Sequence, residues 1–314
     1  MAQAAAVAKP PAPPRRRRAS ATPRRLPYLL IAPAALLMLG FIAYPVISVF
    51  YYSLQNYNPT KPWRNGYAGF DNFVHAFTED PVFWDTLVFS AQWVVVEVGL
   101  QLLFGLALAL IVNQTFVGRG LGRALVFSPW AVSGVLTSAI WVLLYNSQTG
   151  ITRYLADMGI GSYGTSWLSD TSTVFPAAVV ADLWRGVPFF AILILADLQS
   201  VSRDLYEAAE VDGASGWSRF RHITLPMLRP TLLFGAVITG LGYLQFFEEA
   251  FVMTKGGPLD STRSVTYFTF DQFGFGNYGY AAAASYLLFL AVVLLTWVQF
   301  RWLGERDDTT GAKR

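Results

Sequence analysis

Long apolar runs separated by short polar stretches dominate the pattern along the chain. The first extends over about residues 26–54, and no charged residue occurs between Leu26 and Thr60. Further runs cover about residues 86–112, interrupted by Glu97, and 122–146, free of charge after Arg123. The next, over 173–198, carries Asp182 and Arg185 near its centre and Asp197 at its end; the last two cover 231–253 and 280–303. A bilayer core is crossed by about 20 apolar helical residues. Because lipid offers no water to backbone amides and carbonyls, such runs are predicted to be helices. Strand-like alternation is absent, which argues against a barrel. The predicted fold class is therefore all-α, a polytopic bundle of six transmembrane helices.

Composition agrees with that pattern. Of 314 residues, 54% are hydrophobic and 14% charged, against about 25% charged in soluble domains. Residues 1–25, rich in Ala, Pro and Arg, cannot bury a core and are expected to form a disordered basic tail. The apolar run behind them exceeds the roughly 7–15 residues of a secretory h-region, so it is expected to remain as the first span. Residues 26–303 then form the transmembrane domain and 304–314 a second tail. The basic cluster Arg15 to Arg18, Arg24 and Arg25 is one a nucleic acid would bind, but the span that follows at once favours a cytoplasmic membrane anchor, and no nucleic-acid partner is expected. In the six-span arrangement 17 Lys and Arg fall on the side of the N-terminus and five on the other, with Arg185 inside a span. Basic residues are retained in the cytoplasm, so both termini are expected there.

There is no cysteine, and the two histidines, His75 and His222, are far apart. Disulfides, thiolate sites and a histidine-rich metal centre are excluded, and no metal is expected. No internal repeat is visible, which weakens the case for a secondary transporter built from inverted halves. Such a device, ion-coupled and independent of an ATPase, or a channel, stays open as an alternative at this stage. A proton-coupled transporter would carry a chain of intramembrane acids and histidines, and no histidine lies in a span. No paired catalytic constellation marks an enzyme.

The most informative polar stretch is residues 202–230, on the cytoplasmic side. It reads as two short helices with a turn between them. Ser202 can cap the first, and Asp204 lies in its first turn, where negative charge meets the positive end of the helix dipole. Leu205, Ala208, Ala209 and Asp212 form a narrow face of mostly small side chains, while Arg203, Glu207 and Glu210 line another. Gly213 tolerates the left-handed dihedrals that end a helix. The second helix presents Trp217, Phe220 and Thr224, and Pro226 and Pro230 bracket the return to the membrane. A small-residue face lets another protein approach closely. An amphipathic helix on the lipid surface is the competing reading.

Glu207-Ala208-Ala209, Asp212-Gly213-Ala214, Phe220, Ile223, Leu225-Pro226 and Pro230 stand at the spacing of the signature loop of ATP-binding-cassette importer permeases, which this stretch closely resembles. The resemblance implies the type I importer permease fold. It also implies that Glu207 to Gly213, with Ala214, Phe220, Leu225 and Pro226, couple the chain to a cytoplasmic ATPase. It extends over roughly residues 26–303: LWRGVPFFAILILADLQSV, FEEAFVMTKGGPLDSTRSV and GYAAAASYLLF look like the carbohydrate-uptake branch that includes maltose and multiple-sugar permeases. Lys255 in TKGGP departs from the family, where many relatives have a third glycine.

A phosphate-cradling loop needs a lysine followed by Ser or Thr. Lys9, Lys61, Lys255 and Lys313 are followed by Pro, Pro, Gly and Arg. ATP and Mg are therefore expected on a partner ATPase dimer, with no cofactor on this chain. The resemblance also implies a second permease subunit in a heterodimer, an extracytoplasmic solute-binding protein, and a sugar carried inward by ATP-driven alternating access across a bacterial inner membrane. Alignment on the signature loop carries the maltose-type substrate region onto Leu183, Gly186 and Phe189, and onto Thr239, Tyr243 and Phe246. Trp184 and Gln245 are neighbours whose chemistry suits a sugar, which needs aromatic faces and hydrogen-bonding groups. Asp182 and Arg185, three residues apart, read as a mutually neutralising pair, with direct contact to the substrate as the competing reading. Glu97 receives no role beyond facing the bundle.

Overall fold

The computed structural model describes residues 26–160, 164 and 166–311. The expected basic tail over residues 1–25 lies outside these residues. The chain divides into two compact units at Ser48 and Val49. Helix α1 (Leu26–Met38) runs through a π-helical turn at Leu39–Ala43 into α2 (Tyr44–Ser53), giving a continuous apolar helix over Tyr28–Ser53.

Beyond this helix, a small antiparallel pair, β1 (Gln55–Asn56) and β2 (Gly66–Tyr67), precedes the short helix α3 (Asp71–Thr78). Helix α4 (Pro81–Asn113) starts with the Asp80 carboxylate accepting from the Phe83 amide at 3.2 Å and Pro81 at its first position, where the missing N–H costs nothing. Then follow α5 (Arg119–Phe127), α6 (Gly134–Leu144), α7 (Ile151–Asp157) and α8 (Val174–Leu198). The remaining helices are α9 (Arg203–Val211), α10 (Gly216–Arg219), α11 (Leu225–Tyr243), α12 (Val265–Gly274) and α13 (Tyr278–Gly311), the last running past the expected boundary at residue 303. Among the described residues, five helices are long and apolar enough to cross a membrane, or six when a bent pair counts as one span.

The packing centre is the contact of α4 with α8. Ala109 and Val112 of α4 meet Phe190, Ala191, Ile194 and Leu198 of α8, with Leu228 of α11 closing the cluster. In lipid, burying apolar side chains gains little from water exclusion, so helices associate through close van der Waals fit. Gly105 shows this directly, because a Cβ there would sit 2.6 Å from the Phe190 Cβ.

Three departures from the expected spans shape the molecule. The run over 122–146 is not one straight helix: it turns by 98° between a helical stretch ending at Ala131 and α6. Pro129 removes an amide donor, Val132 is extended, and Ser133 caps α6 by accepting from the Leu136 amide at 3.3 Å. At its start, the fifth span is longer than its composition suggests. It runs unbroken from Gly216 to Tyr243, with Pro226 and Pro230 inside it. A π-helical turn at Phe220–Thr224, where the Leu225 amide bonds to the Phe220 carbonyl, widens the helix ahead of Pro226. The separate second short helix expected from the sequence is thus the first turn of a membrane helix.

At its other end this helix stops at Tyr243, ten residues before the expected boundary at 253, and the chain runs irregularly before a π-helical turn at Ala250–Thr254. Gly240 and Gly242 weaken the last turn. The freed backbone is satisfied: the Gln245 and Phe246 amides bond to the Gly242 and Tyr243 carbonyls, and Ser264 Oγ donates to the Phe246 carbonyl at 2.6 Å. Non-helical backbone at membrane depth survives where it is buried or lines a cavity. After the π turn, Lys255 adopts φ 51°, the left-handed region in which a glycine costs least.

Candidate functional site: an intramembrane cavity and a polar loop

The loop is built almost wholly from local geometry. Ser202 Oγ accepts from the Asp204 amide at 3.2 Å to start α9. At the other end Gly213 has φ 74°, and the Ala214 amide reaches back to the Ala209 carbonyl at 2.8 Å while the Gly213 amide bonds to the Glu210 carbonyl at 3.0 Å. This is a left-handed helix stop. Open space surrounds the position of a Gly213 Cβ, so the backbone angle alone demands glycine. Ser215 then caps α10 by accepting from the Ser218 amide at 3.3 Å. Glu210 pairs with Arg219, and Tyr206 and Thr224 share a hydroxyl bond at 3.0 Å, so α9 is tied to the start of the membrane helix at two points. Glu207, Ala208, Asp212 and Gly213 stay exposed, as do Val211 and Trp217, and Glu207 makes no hydrogen bond or ion pair among the described residues.

The second region is a cavity of about 430 Å³ between α4, α8, α11 and the irregular segment after Tyr243. Positions 182, 185, 186 and 189 share one face of α8 through helical spacing. Arg185 Nη2 lies 3.1 Å from Asp182 Oδ1 and 3.8 Å from Glu249 Oε1. Asp182 is fully buried and accepts from the Tyr243 hydroxyl. Gln101 of α4 donates to Tyr243 Oη, and its Nε2 is 3.3 Å from Glu97 Oε2 and 3.4 Å from Asp182 Oδ2. Gly186 makes this possible, since a Cβ there would fall 2.2 Å from Gln101 Nε2.

Three carboxyl groups, one guanidinium, an amide and a phenol thus form one buried network joining α4, α8, α11 and the broken segment. Charges at such depth persist only when they pair or face a cavity. This network does both. Aromatic rings join it in the lining: Trp130 stacks on Phe189 with centroids 5.6 Å apart, and Phe246 lies in the lining against Trp93 at 3.9 Å. Thr239 Oγ1, in the lining, is buried without a hydrogen-bond partner. Among the described residues, no group of His, Cys, Asp and Glu side chains could hold a metal ion.

Residues 101–302, more than half of the chain, match the family described as "Binding-protein-dependent transport system inner membrane component". The chain belongs to that family. It is a multi-pass membrane permease of the type I importer fold. Among its relatives is the trehalose/maltose transport system permease protein MalF of Thermococcus litoralis, 35% identical over 280 residues, which cover 88% of this chain and 93% of the relative. The trehalose transport system permease protein SugA of Mycobacterium tuberculosis is 33% identical over 282 residues, 90% of this chain and 89% of the relative. Of solved structures, a bacterial alginate transporter in complex with an alginate pentasaccharide-bound periplasmic protein matches with a TM-score of 0.76 at 22% identity, covering 88% of this chain and 93% of that one.

In this permease the cavity gathers six of the eight residues to which the sequence assigned the substrate path: Gly186, Phe189, Thr239, Tyr243, Gln245 and Phe246. Leu183 and Trp184 do not line it. Leu183 packs into the cluster around Phe89 and Trp93, and Trp184 turns toward Trp141, with centroids 6.4 Å apart. Among the lining side chains that sequence reasoning missed are Gln101, Trp130, Glu248 and Glu249. Of these, Glu249 was legible as an acid in an apolar run. Gln101 and Trp130 carried no signal, because only the packing of α4 and the bend before α6 bring them to α8.

Proposed function

We propose that this permease carries a sugar inward, as one membrane subunit of a binding-protein-dependent importer driven by a separate ATPase. The observation that carries this reading is the cavity, which combines aromatic faces with convergent hydrogen-bonding groups, the two requirements of a sugar site. The relatives named for trehalose and maltose support it.

In this reading a solute-binding protein delivers the sugar from outside, and a second permease subunit forms a heterodimer with this one. An ATPase dimer binds ATP and Mg and docks on the exposed face of Glu207, Ala208, Ala209, Asp212 and Gly213, with Ala214, Phe220, Leu225 and Pro226 shaping the loop. Both termini lie in the cytoplasm in this reading, which the 17 to five division of Lys and Arg supports. The mechanical link is the unbroken helix Gly216–Tyr243. A displacement of α9 is passed through the Glu210–Arg219 and Tyr206–Thr224 contacts to α11, whose far end carries Thr239 and Tyr243 in the cavity wall. Closure of the ATPase dimer would then rearrange the cavity directly, opening it to one side of the membrane at a time.

The reading is tested by reconstituting this chain with its ATPase, partner permease and binding protein in liposomes and measuring uptake of labelled trehalose and maltose. Uptake is expected to require ATP on the ATPase side. Sugar uptake by this chain in the absence of ATPase or ATP would favour an ion-coupled carrier or channel and contradict the proposal.

A further inference from the structure

The charges in the cavity wall are unbalanced in a way that the sugar reading alone does not use. Among the described residues Arg185 is the only basic one in the lining, and the guanidinium faces two carboxyl groups, Asp182 at 3.1 Å and Glu249 at 3.8 Å. It is therefore engaged before any ligand arrives. Glu97 adds a further fully buried carboxyl group behind the lining through Gln101. Glu249 is only 4% exposed, and its buried Oε1 has no hydrogen-bond donor among the described residues, its nearest cation being Arg185 Nη2 at 3.8 Å, so this carboxyl group is enclosed in the wall.

Glu248 completes the imbalance. It lines the same cavity, is exposed, and makes no ion pair or hydrogen bond among the described residues. Its carboxylate lies against the start of α6: a Cβ on Gly134 would fall 1.4 Å from Glu248 Oε2. Only a glycine leaves room for it there, and the first turn of a helix is where negative charge is favoured. The carboxylate is thus placed in the wall by the bend before α6 and by Gly134, and it pairs with no cation among the described residues.

We propose that the cavity admits uncharged and cationic sugars and rejects sugar acids and sugar phosphates, with Glu248 as the residue that sets this charge filter. The inference rests on the reading that the sugar passes through this cavity. Sugar hydroxyls and ammonium groups can donate to Glu248, whereas a carboxylate or phosphate brings a like charge to a wall whose one guanidinium is already paired.

The test uses the complete transporter complex in nanodiscs without the binding protein, so that the cavity is read and not the delivery step. Trp130 lies in the lining, and its fluorescence, taken as the difference between wild type and the Trp130→Phe variant, reports occupancy. Maltose, trehalose, glucosamine, glucuronate and glucose 6-phosphate are titrated. The first three are expected to give saturable changes, with the two anions at least about tenfold weaker, a gap of roughly 1.4 kcal/mol. Glu248→Gln, close to isosteric and compatible with the space over Gly134, is expected to narrow that gap, and Glu248→Asp to preserve it. Equal affinity for neutral and anionic sugars in the wild type, or an unchanged gap in Glu248→Gln, would overturn the charge filter alone. A Trp130 signal that responds to none of the sugars would overturn the cavity reading together with the filter.

Discussion

The loop over residues 202–230 and the intramembrane cavity belong to one permease and share one helix, yet they are specified in different ways. The loop is held by bonds between residues close in sequence: Ser202 to Asp204, Ala214 to Ala209, Ser215 to Ser218. The cavity is held by bonds across long separations, with Gln101 reaching Asp182 and Tyr243, and Arg185 reaching Glu249. A surface that must dock on another protein can be made from a local motif, and its groups are left exposed. A polar site inside lipid needs partners from several helices, because each charge must be answered within the bundle.

If that contrast holds, the largest single-residue effect lies in the cavity network. Arg185→Leu removes the one guanidinium facing Asp182 and Glu249, and breaking a buried ion pair from one side costs about 3–5 kcal/mol. The variant is expected to lose thermal stability and monodispersity in detergent. A variant as stable as the wild type would show that the network is not what holds α8 to the segment after Tyr243.

A smaller effect separates backbone from side chain in the loop. Gly213→Val forces a β-branched residue to φ 74°, at about 1–2 kcal/mol, while open space around its Cβ means no steric clash. Membrane insertion is expected to be normal, with sugar uptake and substrate-stimulated ATP hydrolysis falling together. Gly213→Asn, whose side chain tolerates left-handed dihedrals, should retain most of both. If Asn fails as badly as Val, the glycine is needed for close approach of a partner and not for its dihedral angle.

The smallest effect on this chain is expected from Glu207→Ala. Glu207 is exposed and has no partner among the described residues, so stability should change by no more than about 0.5 kcal/mol. Retention of the ATPase on the purified complex should nevertheless weaken. Unchanged ATPase retention would remove Glu207 from the docking face.

The same division explains what could be read from the sequence. The cap at Ser202 and the turn at Gly213 follow from residues within a few positions of each other, and the i, i+3 spacing showed that Asp182 and Arg185 could pair. The third member, Glu249, depends on the chain leaving the helix at Tyr243, and an apolar run that continues to residue 253 hides that break. The 98° bend before α6 was likewise concealed, although Pro129 and the Ser133-Gly134 cap signal were present, because hydropathy registers the run and not its direction. Gln101 is one of many polar residues until α4 packs on α8 and Gly186 opens the space beside it. Trp184 shows the opposite error: its chemistry suits a sugar, but it lies off the face shared by Gly186 and Phe189.

In the proposed mechanism the sugar passes through the space between Phe189, Tyr243 and Gln101. Phe189 tests it most directly, because it lines the cavity and stacks on Trp130 while taking no part in the polar network. ATP-driven uptake of labelled trehalose and maltose should be measured in liposomes for the complete complex carrying Phe189→Ala, beside basal ATP hydrolysis and subunit composition. With loss of an aromatic contact worth about 1 kcal/mol, uptake at limiting sugar is expected to fall roughly fivefold while assembly and basal hydrolysis stay at wild-type levels. Wild-type uptake of both sugars by this variant would contradict the account and move the pathway away from this cavity.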